Sequence, residues 1–311
     1  MNPILNRRYA LKLGGAALAA GALMPALARG NDDTPAVPAP KKRSLKKAVM
    51  WNMLGSRGSV LDKFKTLRDA GFDGVELDAP GKIPLDEYKA ACKDTGILVE
   101  GVVDSVHWNR KLSDPRPAER EFALNALKQA LRDCQELGGT SVLLVPGVVD
   151  ANVSYDECYK RSQEEIRKAI PVAREAGVKI AIEDVWNKFL LSPLEAARYV
   201  DEFEAPDAVG WHMDIGNVLA FGWPEQWIHI LGKRIVKIHV KEFSRKKQNN
   251  EGMGKGFNVE LLEGDNEWPA IMKALDDVGY NTWACLEVDG RNGDPARLKF
   301  LSERLDRIIA S

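Results

Sequence analysis

Four potential metal-binding side chains each follow an apolar, β-branched run of the sequence. They are Glu183 in KIAIEDVW, Asp214 in VGWHMDIGN, His239 in RIVKIHVKEF and Glu287 in WACLEVDG. Three carboxylates and one imidazole suit a borderline divalent cation that polarises a carbonyl group. Any one of the three carboxylates could instead cap a helix or pair with a lysine. Together with the histidine they make four potential ligands in phase with a strand repeat, and this pattern predicts a single metal site.

The chemistry expected of this set is proton transfer next to a sugar carbonyl. A divalent ion, with Mn²⁺ as first choice and Mg²⁺, Co²⁺ or Zn²⁺ as alternatives, acidifies the C–H group beside the carbonyl that it polarises. Glu183 and Glu287 are the expected catalytic pair, one removing the proton and the other returning it. Return to the opposite face of the same carbon epimerises it, whereas return to the adjacent carbon interconverts an aldose and a ketose.

Eight strand patterns alternate with eight amphipathic helix patterns from Leu45 onward. The strands are expected near 47–53, 73–78, 97–103, 140–146, 178–184, 208–214, 234–241 and 282–288. The helices are expected near 59–70, 84–95, 116–137, 155–176, 192–204, 224–231, 267–279 and 294–310. This alternation predicts a parallel sheet with right-handed crossovers, and eight units predict one closed (β/α)8 TIM barrel, whose strands all end on the catalytic face. An open doubly wound sheet is the alternative, but no GxGxxG follows the first strand.

Composition places the chain in the ordinary globular range, with 311 residues, 45% hydrophobic and 29% charged. The net charge is −1, and removal of residues 1–28 takes away Arg7, Arg8 and Lys12, so it becomes −4. An apurinic endonuclease, which shares the barrel and binds zinc, is expected to have a basic groove and more than four histidines. Nucleic acid is therefore not an expected partner. The four cysteines show no paired spacing and are expected to be buried free thiols.

The N-terminus has the pattern of an export signal. Residues 1–28 combine NRRYALK, similar to the twin-arginine motif, with a mildly apolar stretch and a small-residue cleavage site, Ala26-Leu27-Ala28. We therefore expect passage through the twin-arginine machinery, a periplasmic or otherwise exported location, and no stable membrane association after cleavage; an uncleaved anchor is the alternative. Residues 29–44 are expected to form a disordered linker before the catalytic barrel of residues 45–311.

Several further side chains are expected near the substrate because they lie at strand ends or in the loops that follow. Glu76 ends the second strand, His107 lies in a long loop (104–115) after the third, and Lys241 follows His239 by two residues. Tryptophan rings at strand ends can form apolar walls for a sugar; they are Trp51, Trp108 and Trp186. Each of these residues has a purely structural alternative in packing, pairing or the solvated surface. A second long loop, 242–266, looks mobile at its tip and resembles a lid.

The chain resembles the sugar isomerase/epimerase superfamily of xylose-isomerase-like barrels over roughly residues 45–310. The resemblance is carried by GFDGVEL, IED, MDIGN, IHVKEF and LEV, which run from residue 71 to residue 288. It implies that Glu183, Asp214, His239 and Glu287 match the family's four metal ligands and that the two glutamates match its acid/base pair. Arg245 falls where ketose 3-epimerases place an arginine that contacts substrate. Asn217 stands where they carry a histidine, which preserves a polar contact but not their particular substrate.

The sequence therefore favours a metal-dependent isomerase or epimerase of a non-phosphorylated sugar or keto-sugar, since phosphorylated sugars are mostly cytoplasmic. A lyase is the closest alternative, because the same proton abstraction can expel a β-substituent from a 3-keto-glycoside or dehydrate an inosose. An exported carbohydrate-binding barrel without catalysis is a third hypothesis, but such a protein is expected to have lost at least one ligand. Barrels of this type often pair through their helices, so a homo-oligomer is compatible with the sequence.

Overall fold

Residues 43–311, the part of the chain that the computed structural model describes, form one closed barrel of eight parallel strands. Each strand pairs with the next along the chain, and the last pairs with the first. The strands are β1 Lys46–Met50, β2 Gly74–Ala79, β3 Leu98–Asp104, β4 Ser141–Leu144, β5 Lys179–Ile182, β6 Val209–Asp214, β7 Ile235–Val240 and β8 Trp283–Leu286. The predicted TIM barrel is confirmed. The predicted signal peptide (1–28) and nearly all of the predicted linker (29–44) lie outside the described residues.

Helices follow every strand, as the alternation predicted. Within the described residues they are α1 Val60–Ala70, α2 Leu85–Thr95, α3 Pro117–Glu136, α4 Tyr155–Ala176, α5 Pro193–Asp201, α6 Ile215–Leu219, α7 Pro224–Leu231, α8 Arg245–Glu251, α9 Trp268–Asp277 and α10 Pro295–Ala310. Short 3-10 helices add Trp51–Leu54, Gly232–Arg234 and Met253–Phe257. The sequence patterns predicted eight of the α-helices, whereas α6 and α8 are additional short helices in the loops at the ends of β6 and β7.

Local sequence signals explain where the helices begin and end. The Ser59 hydroxyl accepts a hydrogen bond from Asp62 N while the Asp62 carboxylate accepts one from Ser59 N, a capping box that starts α1. Gly71, Gly96 and Gly177 end α1, α2 and α4 with φ angles of 88°, 79° and 64°. These left-handed positions turn the chain back toward the next strand at little steric cost.

The interior of the barrel is apolar except for a buried polar layer beneath the strand ends. The Lys237 ammonium donates to the Glu100 carboxylate, and it donates to the Glu100 carbonyl at 2.6 Å. His212 lies beside Lys237 in the register of β6 and β7, and its ring packs edge-on against His239 with centroids 4.1 Å apart. Burial of the Lys237–Glu100 ion pair is costly unless each charge is compensated by its partner. The two side chains therefore hold each other in place and form the floor under the strand ends.

The strand registers bring the chemically interesting positions to one level. Asp214 pairs with His239 between β6 and β7. Glu287 N donates to the Val240 carbonyl at 3.3 Å, and Glu183 N donates to the Leu144 carbonyl at 3.0 Å. Residues at or just past the ends of β5, β6, β7 and β8 therefore share the catalytic end of the barrel.

The long loop after β7 is more ordered in its backbone than the sequence predicted, because it contains α8 and a 3-10 helix. The buried Glu242 carboxylate fixes the C-terminal part of this loop. It accepts hydrogen bonds from Leu262 N at 2.7 Å, Asn266 N at 3.2 Å and Trp268 Nε1 at 2.9 Å. This one carboxylate ties the loop to the end of β7 and to the start of α9.

Three remaining features bear on the sequence predictions. All four cysteines are free; Cys134, Cys158 and Cys285 are buried and Cys92 is partly buried, which confirms the predicted thiols. Arg43 donates to the Asp276 carboxylate at 3.1 Å and to the Ile309 carbonyl at 2.6 Å, so side-chain contacts with the barrel begin before Leu45. Between residues 43 and 311, no helix has both the length and the hydropathy of a membrane span.

Candidate metal centre and substrate pocket

The structure brings the four potential ligands together at the catalytic end of the barrel. One ligand atom from each of four residues lies within 4.8 Å of all the others, and these residues are Glu183, Asp214, His239 and Glu287. Three of the residues are buried, and Glu287 is intermediate. They come from the ends of four consecutive strands, where the closure of the barrel converts distance along the sequence into proximity.

His239 Nδ1 lies at the centre of this cluster. It is 3.1 Å from Glu287 Oε2 and 3.9 Å from both Glu183 Oε1 and Asp214 Oδ2. Within residues 43–311, Glu183 Oε1 is buried and forms no hydrogen bond. Asp214 Oδ2 is also buried without a hydrogen bond, but the Lys241 ammonium lies 3.0 Å from it. Buried carboxylate oxygens without hydrogen bonds are costly unless a cation compensates them. One imidazole nitrogen and three carboxylates thus fit a divalent ion such as Mn²⁺ or Zn²⁺.

The second nitrogen of His239 is held from below. His239 Nε2 lies 2.8 Å from Glu76 Oε2, and Glu76 is 1% exposed. A carboxylate on one imidazole nitrogen fixes the ring and leaves the other nitrogen facing the metal position. The sequence analysis expected Glu76 at the substrate; the structure places it beneath the imidazole.

Burial and neighbouring charges shift the pKa values of the two expected catalytic carboxyls, Glu183 and Glu287, in opposite directions. Burial raises the pKa of Glu183 well above its usual value, with Asp214 and Glu287 adding repulsion and His239 opposing. Burial also opposes ionisation of Glu287, but the Lys241 ammonium and His239 outweigh it and lower the pKa of that carboxyl. The surroundings therefore shift the pKa values of the two carboxyls in opposite directions.

Lys241 lies inside the cluster. Its ammonium is 2.8 Å from Glu287 Oε2 and 3.0 Å from Asp214 Oδ2, and it donates to Asn217 Oδ1 at 3.3 Å. The Asp214 Oδ1 atom accepts a hydrogen bond from Asn217 N at 2.8 Å, which caps α6 and fixes the carboxylate. Lys241 and Asn217, which were expected near the substrate, therefore lie beside the candidate metal ligands.

A cavity of about 490 Å³ opens beside Glu287 and Lys241. Its walls include Trp186, whose ring meets that of Phe257 edge-on with centroids 5.7 Å apart. Arg291 also lines it. This volume lies within the roughly 300–1,000 Å³ typical of small-molecule pockets. The cavity can therefore hold a substrate against the two residues Glu287 and Lys241.

Other expected substrate contacts lie elsewhere. The Arg245 guanidinium donates to the Leu219 carbonyl at 3.1 Å and to the Gly222 carbonyl, and it stacks over Trp223. Trp51 packs edge-on against Phe64 and Tyr88. These contacts give Arg245 and Trp51 structural partners outside the 490 Å³ cavity.

His107 and Trp108 lie in the loop after β3. His107 is buried, its Nδ1 accepts a hydrogen bond from Val145 N at 3.2 Å, and burial lowers its pKa to about 4. Trp108 is 45% exposed and meets the His107 ring edge-on at 5.6 Å. His107 is thus a neutral hydrogen-bond acceptor that ties this loop to the end of β4.

Three notable residues, two in the cavity and one at a strand end, were not predicted from the sequence. Phe257 and Arg291 line the cavity from irregular segments where no strand alternation points to them. Asp104, the last residue of β3, is buried, and burial raises its pKa to about 7 against hydrogen bonds from Val106 N and His107 N. Its position at a strand end, like that of Asp214, was a signal that could have found it.

A family comparison places the fold and site among known proteins. A profile of the family described as xylose isomerase-like TIM barrel matches residues 64–307. The chain belongs to this family. It is 26% identical over 257 residues to the 2-oxo-tetronate isomerase of Pectobacterium atrosepticum, a match that covers 78% of this chain and 92% of that relative.

Solved structures show the same barrel. The 3-keto-D-glucoside 4-epimerase from E. coli superposes with a TM-score of 0.70 at 19% identity, covering 85% of this chain and 98% of the other. The IOLI protein, whose crystal structure has a bound zinc atom, superposes with a TM-score of 0.67 at 16% identity, covering 85% and 98%. At these identities the likeness shows the fold. Two curated relatives are named 2-oxo-tetronate isomerase and L-ribulose-5-phosphate 3-epimerase, and several solved neighbours are named as sugar epimerases.

Proposed function

We propose that this protein is a metal-dependent isomerase or epimerase of a non-phosphorylated sugar or keto-sugar. The observation that carries the proposal is the convergence of Glu183, Asp214, His239 and Glu287 within 4.8 Å at the mouth of the barrel. Relatives named as isomerases and epimerases support the reaction class. We propose Mn²⁺ as the ion, with Mg²⁺, Co²⁺ or Zn²⁺ as alternatives, because a nitrogen and three carboxylates suit this group of metals.

The protein groups supply the acid and base. A divalent ion held by the four ligands contributes Lewis acidity toward the oxygens of a hydroxy-ketone. Glu183 and Glu287 then exchange the proton of the acidified carbon, one as base and the other as acid. Lys241 lines the cavity, where it can bind a substrate oxygen, and the buried Asn217 positions it by accepting a hydrogen bond from its ammonium. Trp186 with Phe257 provides an apolar wall for a sugar ring.

Export of the enzyme is the second part of the proposal. Its support is the NRRYALK motif and the small-residue site in residues 1–28. An exported enzyme meets free sugars and glycosides rather than sugar phosphates. Fractionation of cells that produce the full chain tests this; replacement of Arg7 and Arg8 by lysine should retain the protein in the cytoplasm, and unchanged distribution contradicts the prediction.

A lyase acting on 3-keto-glycosides is the second candidate, and the size of the cavity favours it. A volume of about 490 Å³, lined by Glu287, Trp186, Phe257 and Arg291 among others, leaves room for a substituent on the sugar ring. In this reaction the same carboxylate removes the proton, and a carbon–carbon double bond forms as the C–O bond to the β-substituent breaks. The second carboxyl then gives its proton to the departing oxygen instead of to carbon.

One experiment tests both candidates. Metal-supplemented enzyme is incubated in heavy water with a panel of free ketoses and 3-keto-glycosides, and products are followed by NMR and mass spectrometry. Deuterium incorporation with an intact carbon and oxygen skeleton supports the isomerase or epimerase, whereas release of the aglycone supports the lyase. A panel without exchange or cleavage in the presence of any of the four metals contradicts the proposed chemistry.

A further inference from the structure

The ammonium of Lys241 occupies the same carboxylate oxygens that would bind the metal. Nζ lies 2.8 Å from Glu287 Oε2 and 3.0 Å from Asp214 Oδ2, so it contacts two of the three carboxylates of the cluster. The Lys241 side chain is 14% exposed. A buried ammonium at this distance is a cation bound within the site, attached to the protein by its own side chain.

The stem of Lys241 has a defined seat. A Cβ atom added at Gly216 would lie 2.8 Å from Lys241 Cβ and 2.9 Å from its Cγ, so the lack of a side chain at Gly216 makes room for the lysine. The ammonium also lies over the face of Phe257, 5.3 Å from the ring centroid. The glycine and the aromatic ring together direct the lysine toward the carboxylates.

We propose that Lys241 is a built-in competitor of the metal, which holds the metal-free site together and lowers its affinity for the divalent ion. The inference rests on the metal binding in the proposed function. The buried carboxylates of Glu183 and Asp214 and the partly buried carboxylate of Glu287 lie within 4.8 Å of one another, so they repel strongly without a cation. The ammonium supplies one positive charge in the metal-free protein. An incoming divalent ion needs the same oxygens of Asp214 and Glu287, so it must displace the ammonium or bear its repulsion at short range.

This competition makes two opposite predictions for a neutral residue at 241. The metal-free protein should be less stable, because Asp214 and Glu287 lose their counter-ion. The metal should bind more tightly, because nothing competes for the oxygens. Replacement of a residue that merely packs against the site would not raise the affinity for the metal and at the same time lower the stability of the metal-free protein.

The test uses Lys241→Met, which keeps a long apolar stem, with Lys246→Met as the matched control. Lys246 is exposed on α8, so the control removes the same charge without contact with the ligands. Affinity for Mn²⁺ is measured by competition with a chelator, and Tm is measured with and without the ion. We expect Lys241→Met to bind Mn²⁺ at least about tenfold more tightly than the wild type. A charge within about 4–6 Å of a carboxyl group typically shifts its pKa by one to three units, which is a change of one to three powers of ten in a binding constant.

The metal-free Tm should fall in Lys241→Met while the gain in Tm on loading increases, and Lys246→Met should match the wild type in both. Lys241→Gln, also neutral, serves as a second variant if Lys241→Met does not fold without metal. Unchanged or weaker Mn²⁺ affinity in both neutral variants overturns the inference alone, provided that the wild type binds the ion. A wild type that binds none of the four metals overturns the proposed function and this inference together.

Discussion

Glu76 Oε2 and His239 Nε2 lie 2.8 Å apart, so the imidazole is clamped from the floor of the barrel and its Nδ1 faces the three carboxylates. The two residues come from β2 and β7, on opposite parts of the closed sheet. This pairing links the buried polar layer to the metal centre. It predicts that a residue without direct access to substrate controls the affinity for the metal.

Glu76→Gln should weaken metal binding roughly 10–100-fold, the usual cost of losing a carboxylate behind a metal-binding histidine. The amide keeps the size of the side chain but not its charge, so it fixes the His239 ring less firmly and makes the imidazole a less basic ligand. Titration calorimetry with Mn²⁺ measures the effect. Glu164→Gln, on the exposed face of α4, is the control and should bind like the wild type; equal affinity in all three proteins contradicts the role of Glu76.

Glu287→Gln should still bind sugar but lose proton exchange by about 10²–10⁴-fold, the range of a general acid or base. The reason is that an amide oxygen can remain near the cavity but cannot take up the proton. Solvent deuterium incorporation into substrate, measured by NMR, gives the exchange rate, and a separate binding titration gives affinity. Wild-type exchange by Glu287→Gln would remove this residue from the catalytic pair.

Chelation of the metal should lower Tm and abolish activity. With the ion at about 100 times its Kd, binding stabilises the folded protein by about 2.7 kcal/mol, which corresponds to roughly 4–5 °C for a chain of this size. Differential scanning fluorimetry with and without EDTA, followed by restoration with Mn²⁺, measures the effect. An activity that survives complete removal of the metal is the contrary result.

The stability of the protein should depend on pH through Asp104. Burial raises the pKa of Asp104 to about 7 in the folded state, whereas an unfolded aspartate titrates near about 4. Between these values the folded state keeps the proton that the unfolded state has lost. The contribution of Asp104 is therefore fully present below about pH 4 and is lost as the pH rises to about 7, on the order of 3–4 kcal/mol in all.

Asp104→Asn removes this dependence while it keeps an acceptor for Val106 N. The stability of the variant relative to the wild type should therefore rise between about pH 4.5 and pH 7.5, as measured by urea unfolding at both values. The opposing contribution of His107, whose pKa is lowered to about 4 by burial, is present in both proteins and cancels in the comparison. A difference in stability that is the same at both pH values would show that Asp104 does not titrate in this range.

Trp186→Ala should raise KM about 2–10-fold with little change in Tm. Its ring is 41% exposed and forms a wall of the cavity, so its loss removes an aromatic contact of roughly 0.5–1.5 kcal/mol from the substrate rather than from the core. Steady-state kinetics on the substrate found in the panel provides the test. Trp223→Ala, a similarly exposed ring that stacks on Arg245 outside this cavity, should leave KM unchanged; an equal effect of both variants would count against the assignment of the wall.

Local pattern was sufficient for the barrel and for the choice of the candidate metal ligands. Apolar β-branched runs, amphipathic helices and glycines such as Gly71 and Gly177 are determined within a few residues of sequence, so eight alternating units were readable. Asp214 and His239 were readable because they end two such runs. The parallel barrel then dictates that residues at strand ends share one face.

Contacts between distant segments required the tertiary structure. Glu76 was expected at the substrate, but the register of the closed sheet puts it under His239, 163 residues away along the chain. Arg245 was expected there too, but the fold of the β7 loop turns its guanidinium to the carbonyls of residues 219 and 222. The sequence alone determined which side chains end the strands, because the periodicity of a strand is local. Only closure of the barrel decided which of these side chains touch, because such contacts depend on strand register and loop path. Closure also placed the Lys241 ammonium between Asp214 and Glu287.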